Sequence, residues 1–178
     1  MSRDNLRDRF LGVVLNRSEK MDDTLKRYFE GDAPAAYFGM TVEKAEPGLA
    51  MIRMPVDTRH RNGVGLAHGA VLFALGDFAL AVASNAGGQV AVAVEGSIHF
   101  HAGVPMGCVL TAVCRERYAA GRLSWFDIEI TREDGGLVAT MQGLVTRRPE
   151  TVAEVVAGRN RKITGGTENF SSKSDGTA

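Results

Sequence analysis

Asn62, the pair His68-Gly69, and Asp77 are the residues of this chain whose types and spacing could do chemistry together. Asn62 lies six residues before His68, and Asp77 lies nine after it. From Ala70 to Ala86 every residue but Asp77 is uncharged, and most are apolar or small. An ionised carboxylate on a buried helix is costly unless it is paired or hydrogen-bonded, so a chain that keeps one there needs it for chemistry or has a partner that solvates it. A carboxylate is ionised at neutral pH and so suits a base. Free N–H groups at a helix start bind anions and polarise oxygens, and a carbonyl oxygen placed there is stabilised as it becomes an oxyanion. Gly69 has no side chain to block that approach.

Each of these residues also has a plain structural use. Asp77 could pair with an arginine or be exposed. Asn62-Gly63 is a common turn pair. His68 could only hydrogen-bond within its loop, and Gly69 could ease packing at the helix start.

The element that must position them is a helix over about His68 to Asn85, ended by Gly87-Gly88. On such a helix, positions nine apart fall on roughly opposite faces and about 13–14 Å apart along the axis. Asp77 is therefore expected not to reach the Gly69 amide of its own chain. The spacing argues for a site shared between subunits, or for two unrelated roles.

The flanking elements follow from periodicity. Residues 4 to 30 carry apolar stripes at helical spacing and read as a helical extension, with Gly31-Asp32-Ala33-Pro34 as a breaker. Strand-like runs cover Tyr37 to Ala45, Leu49 to Val56, Gln89 to His101, Cys108 to Ala119, Leu123 to Thr131 and Leu137 to Arg148. Ala120-Gly121 and Asp134-Gly135-Gly136 read as hairpin turns. One long helix before a run of antiparallel strands argues an α+β fold. The expected organisation is a helical extension over residues 1–35, a main domain over 36–149, and a polar, disordered tail over 150–178.

Composition narrows the class. The chain has 178 residues, 44% of them hydrophobic, which is enough for one domain with a real core. Lys+Arg and Asp+Glu are both 21, so the formal net charge is +0, and no basic stripe interleaved with aromatics points to nucleic acid. The longest apolar run is interrupted by Asp77 and is too short to span a bilayer. No signal peptide is read in MSRDNLRDRF. With Cys108 and Cys114 too far apart on one strand to bond, the expectation is a reduced, cytoplasmic protein with no membrane partner.

Asn62-x-x-Gly65-x-x-His68-Gly69, followed by Asp77 in an apolar helix ending near Asn85, resembles the PaaI-like acyl-CoA thioesterases of the hotdog superfamily. The resemblance covers roughly residues 36 to 148. It implies a long central helix wrapped by an antiparallel sheet, and dimers or tetramers with sites at the subunit interface. It also implies hydrolysis of acyl-CoA to a free acid and coenzyme A, with no metal or redox cofactor. In the implied mechanism the Gly69 amide binds the thioester oxygen, and Asp77 of the other chain attacks or activates water. Asn62 then orients that water or the carbonyl, and His68 shapes the loop.

Two positions depart from the family pattern. Ala70 replaces the second glycine of His-Gly-Gly, and the strand place that can carry a water-holding hydroxyl falls near Ala93, with Ser97 the nearest serine. Arg59, Arg61, Arg115, Arg117 and Arg122 are candidates for the coenzyme phosphates. His99 and His101, with His60 or His68, are weighed as a metal site and set aside in favour of exposed or partner-facing roles. The rival functions are a non-catalytic acyl-CoA or ligand-binding protein on the same fold, and a hydratase. Hydratases place an Asp and a His together at the helix start, which the mid-helix Asp77 disfavours.

Overall fold

The computed structural model describes residues 21–165, with side chains described through Arg159. In chain order the elements are α1 (Asp23–Phe29), α2 (Ala33–Phe38), β1 (Thr41–Glu46), β2 (Leu49–Pro55), a 3-10 turn (Thr58–His60), and α3 (Gly69–Asn85). There follow β3 (Gln89–Phe100), β4 (Val109–Ala120), β5 (Leu123–Arg132), β6 (Leu137–Thr151) and α4 (Val152–Gly165). The six strands form one antiparallel sheet in the order β1-β2-β4-β5-β6-β3, so β1 and β3 are its edges. The helix α3 packs on all six strands, which is the hotdog architecture of the α+β class.

The alternation of β5 explains how the sheet wraps the helix. Ser124, Phe126, Ile128 and Ile130 are buried towards α3, while Trp125, Asp127 and Glu129 face outwards. Ile52 and Met54 of β2, Leu110, Ala112 and Cys114 of β4, and Met141 and Val145 of β6 complete the inner face. Against it α3 buries Leu72, Leu75, Ala79, Leu80, Val82 and Ala83. Two glycines permit the close approach. A Cβ on Gly76 would lie 2.6 Å from Met141 Sδ, and one on Gly143 would collide with three atoms of the Leu80 side chain.

The C-terminal end of α3 is fixed by Asn85, which is 1% exposed. Its Nδ2 donates to Ala81 O (2.9 Å) and Ala91 O (3.0 Å), and its Oδ1 accepts the Ala91 N–H (2.9 Å). One side chain thus ties the helix end to the start of β3. Among the described residues no helix is long and apolar enough to cross a membrane.

Three expectations are corrected. Tyr37 and Phe38 are helical rather than strand, because the Asp32 side chain accepts the Ala35 N–H (3.0 Å), Pro34 sits in the first turn, and Gly39 closes the helix at φ +69°. The residues read as a breaker are a helix start. The polar tail expected from residue 150 is structured at first: β6 runs to Thr151 and α4 occupies Val152–Gly165, with Val152 and Val156 buried. His101 lies just past the end of β3 rather than on it. The helical stripe expected over residues 4 to 20, and the tail beyond 165, lie outside the described residues.

The glycine contacts carry a prediction. Gly143→Ala should cost about 1–3 kcal/mol of stability, because Leu80 must leave its rotamer or the helix must move off the sheet. Urea unfolding of both proteins measures it, and an unchanged midpoint would refute the close packing described.

Candidate active site

The chain from Asp57 to Gly69 sets up the start of α3 through local hydrogen bonds. Asp57 accepts the Arg59 N–H (2.9 Å), and its own N–H donates to His60 Nδ1 (2.9 Å). His60 is buried, and its backbone oxygen accepts the His68 N–H at 2.7 Å. Asn62 closes the loop between them. Its Oδ1 accepts from the Val64 N–H (3.0 Å) and the Leu66 N–H (3.1 Å), and its own N–H donates to Leu66 O (2.7 Å). The Ala67 N–H reaches across to Val104 O (2.8 Å). With its oxygen used by the loop, Asn62 has only its NH2 group left to offer a ligand.

His68 is the N-cap of α3: its Nδ1 accepts the Ala70 N–H at 3.0 Å. An imidazole nitrogen that accepts carries no proton, so this bond assigns the proton to Nε2 of the exposed ring. The Gly69 N–H precedes the first intrahelical bond and has no acceptor among the described residues. Gly69 makes room for a contact invisible in the sequence: a Cβ there would press on the Phe100 ring at 3.1 Å. Phe100, at the far end of β3, is 55% exposed beside the free amide.

Asp77 sits two turns further along. Nearly all of α3 is covered, but Ala70, Phe73 and Asp77 form one stripe open to solvent in the single chain, flanked by Ala74 and Ala81. Asp77 has neither a hydrogen bond nor an ion pair among the described residues. Its carboxyl is reached by solvent yet crowded by apolar neighbours. Lost hydration is the first cause that raises its pKa above the ordinary aspartate value, and the negative charge of Asp32 is the second.

The sequence geometry needs one refinement. Gly69 and Asp77 are eight residues apart, not nine, so they differ by only about 80° around the axis, but by about 12 Å along it. Axial distance rather than opposite faces keeps Asp77 from the Gly69 amide of its own chain. The structure places His68 and Gly69 at the helix start, Asn62 in the loop that leads into it, and Asp77 apart on the open stripe.

The remaining candidates scatter. Arg59 is held by Asp57 (2.7 Å) and Tyr37 O (2.7 Å), and Arg117 pairs with Asp127 (3.0 Å). Arg61 and Arg122 are exposed, and Arg115 is half-buried. Ser97 pairs in register with Gln142 on the outer face, away from α3, whereas Ala93 pairs with Val145. His101 Nε2 meets Thr140 Oγ1 at 2.9 Å, and among the described residues no three His, Cys, Asp or Glu side chains converge. Sequence reasoning missed Phe100 and Asp32, because nothing local marks that Phe100 lies by Gly69 or that the turn carrying Asp32 is held near α3.

Known proteins resemble this chain. The profile of the thioesterase superfamily matches residues 64–139, a span that holds His68, Gly69 and Asp77. The acyl-coenzyme A thioesterase PaaI of Escherichia coli is 34% identical over 115 residues, covering 65% of this chain and 82% of that protein. A putative esterase of Deinococcus radiodurans is 36% identical over 122 residues, covering 68% and 83%. The solved structure of the E. coli PaaI protein superposes with a TM-score of 0.69 at 30% identity, covering 74% of this chain and 99% of that one.

The cap at His68 is testable. His68→Ala should lower stability by about 0.5–2 kcal/mol, and His68→Asp, which restores a capping acceptor, should recover most of it. Equal urea midpoints for the alanine variant and wild type would show that the ring does not cap the helix.

Proposed function

Because this chain belongs to the thioesterase superfamily, sharing 34% identity with PaaI over most of that enzyme's length, we propose that it is an acyl-CoA thioesterase with its site assembled from two subunits. The observation that carries this is Asp77: a carboxylate with no partner among the described residues, on the one open stripe of an otherwise wrapped helix. A carboxyl held above its ordinary pKa is a stronger base than a fully solvated one.

The second subunit follows from the same surface. The open stripe of α3 adjoins β3, an edge strand whose Val92 and Val94 are exposed. An apolar stripe beside an unpaired edge invites pairing with another strand. A second copy docked along β3 would cover the stripe and bring its own helix start towards Asp77, supplying the Gly69 N–H that this chain's Asp77 cannot reach. A homodimer is the smallest assembly that completes the site, and a tetramer is a pair of these. The two free thiols, Cys108 and Cys114, fit a reducing, cytoplasmic setting.

In this mechanism the thioester oxygen accepts from the Gly69 N–H of one subunit. Asp77 of the other removes a proton from water as the water oxygen bonds to the carbonyl carbon. The oxyanion of the tetrahedral intermediate is held at the helix start. Its collapse breaks the C–S bond, and the thiolate of coenzyme A leaves with the proton from Asp77. Alternatively, the carboxylate attacks the carbonyl itself and water then opens the mixed anhydride. The Asn62 NH2 group donates to the carbonyl or to the water. His68 keeps the amide in place by capping, and its Nε2–H faces outwards. Water is the one co-reactant required.

Asp77→Asn is nearly isosteric and cannot take the proton. It should lower kcat for thiol release from a panel of aryl- and fatty-acyl-CoAs by about 100- to 10,000-fold, with the fold intact. Turnover in the variant equal to wild type, or no turnover by wild type on any acyl-CoA, would refute the proposal. Binding without turnover would instead favour a ligand-binding protein.

A further inference from the structure

The carboxylate of Asp77 has a second acid for company, and it comes from outside the segment matched by the thioesterase profile. Asp32 lies on the turn between α1 and α2. Its N–H donates to Phe29 O (3.0 Å), and the Phe29 ring meets the Phe78 ring edge-on at 5.5 Å. Phe78 is the neighbour of Asp77 in α3. On the other side of the turn, α2 packs against α3, and Ala35 is buried in the core. The turn is therefore held against α3 from both sides, with the Phe29 ring seated on the neighbour of Asp77. The Asp32 side chain is pinned as well, since Oδ1 accepts the Ala35 N–H at 3.0 Å. Among the described residues no cation pairs with it, so its charge is not neutralised.

We propose that Asp32 is a positioning residue of the hydrolytic site, a fixed negative charge that the N-terminal helices hold beside Asp77. The proposal rests on the thioesterase reading and adds a component to it. A like charge nearby disfavours ionisation of Asp77 and so makes the ionised form a stronger base towards water. Like charges are destabilising where they serve structure alone, and a neutral Asn would cap α2 as well as Asp does.

The other charged groups around α3 are turned elsewhere. The helix carries no second charge between Ala70 and Ala86. On the inner face of the sheet, Glu116 of β4 and Arg147 of β6 pair with each other at 3.1 Å. Glu95 of β3 lines an outer-face groove with Trp125 and Asp127. On α1, Asp23 is taken by Lys26 at 2.8 Å. After burial, the negative charge of Asp32 is what pushes the Asp77 carboxyl above the ordinary aspartate value.

Asp32→Asn tests this, because it keeps the cap and deletes the charge. Two quantities are read in the full-length protein: the pH profile of kcat/KM on one acyl-CoA, and the titration of the Asp77 carboxyl by carbon NMR, its resonance identified by its loss in Asp77→Asn. The acid limb of the profile and the Asp77 titration should both move to lower pH. The plateau kcat should fall several-fold, with KM changed by less than about twofold. Asp32→Ser, a neutral residue that also caps, should reproduce the effect. An Asp77 titration unmoved in both variants would overturn the proposal, even where a variant had lost activity through its fold. If Asp77→Asn is inactive and the Asp32 variants keep the wild-type profile, this inference alone fails. If Asp77→Asn is as active as wild type, the hydrolytic reading fails and takes this one with it.

Discussion

Everything in this structure depends on how closely one helix is pressed into one sheet. Gly76 and Gly143 let α3 approach until Met141 and Leu80 fill the space a Cβ would need. At that distance six strands curve around the helix and bury nearly all its circumference. What is left is a single stripe through Ala70, Phe73 and Asp77. A carboxylate cannot face the inner side of this sheet without the heavy cost of burying an unpaired charge. The stripe is the one part of α3 where Asp77 can stand, and it is also where solvent or a second molecule can reach the helix.

The same constraint explains the loop ahead of the helix. A helix start must have its orphan N–H groups satisfied or directed at something. Here the capping is uneven. His68 takes the Ala70 N–H and leaves that of Gly69 without an acceptor among the described residues. The Asp57–His60 box and the bonds made by Asn62 hold the loop, so that the free group points from a fixed place. Preorganised donors stabilise a developing charge because no reorganisation is needed when it forms. Asn62 braces that geometry through its Oδ1, which leaves its NH2 group for the reacting atoms.

Much of this was legible in the sequence, for reasons that can be named. Alternation in β5 and the long apolar run of α3 are strong periodic signals, and both elements lie where periodicity puts them. The thioesterase identity was legible in a motif of fixed spacing. Local signals misled where one residue type serves two ends. Gly31-Asp32-Ala33-Pro34 looks like an interruption, but Asp followed by Pro is also how a helix begins. The polar composition after Glu150 hid α4, whose few apolar residues, Val152 and Val156, suffice to dock it. The contacts of Phe100 with Gly69 and of Phe29 with Phe78 are long-range, and no pattern within a window can reveal them.

The uncovered stripe and the separated site are best understood as one feature. An amide at the helix start and a carboxylate two turns on are held about 12 Å apart by the rise of the helix, and no side-chain motion shortens an axis. A chain that placed its base next to its own oxyanion donor would need that base in the first turn. Setting Asp77 mid-helix places it among apolar groups instead, where a carboxyl is a stronger base. The proposed second copy then restores proximity by bringing its own helix start towards that carboxylate. The distance that makes a single chain incomplete is, on this argument, also what lets base and oxyanion donor each be set up by its own surroundings before the two meet.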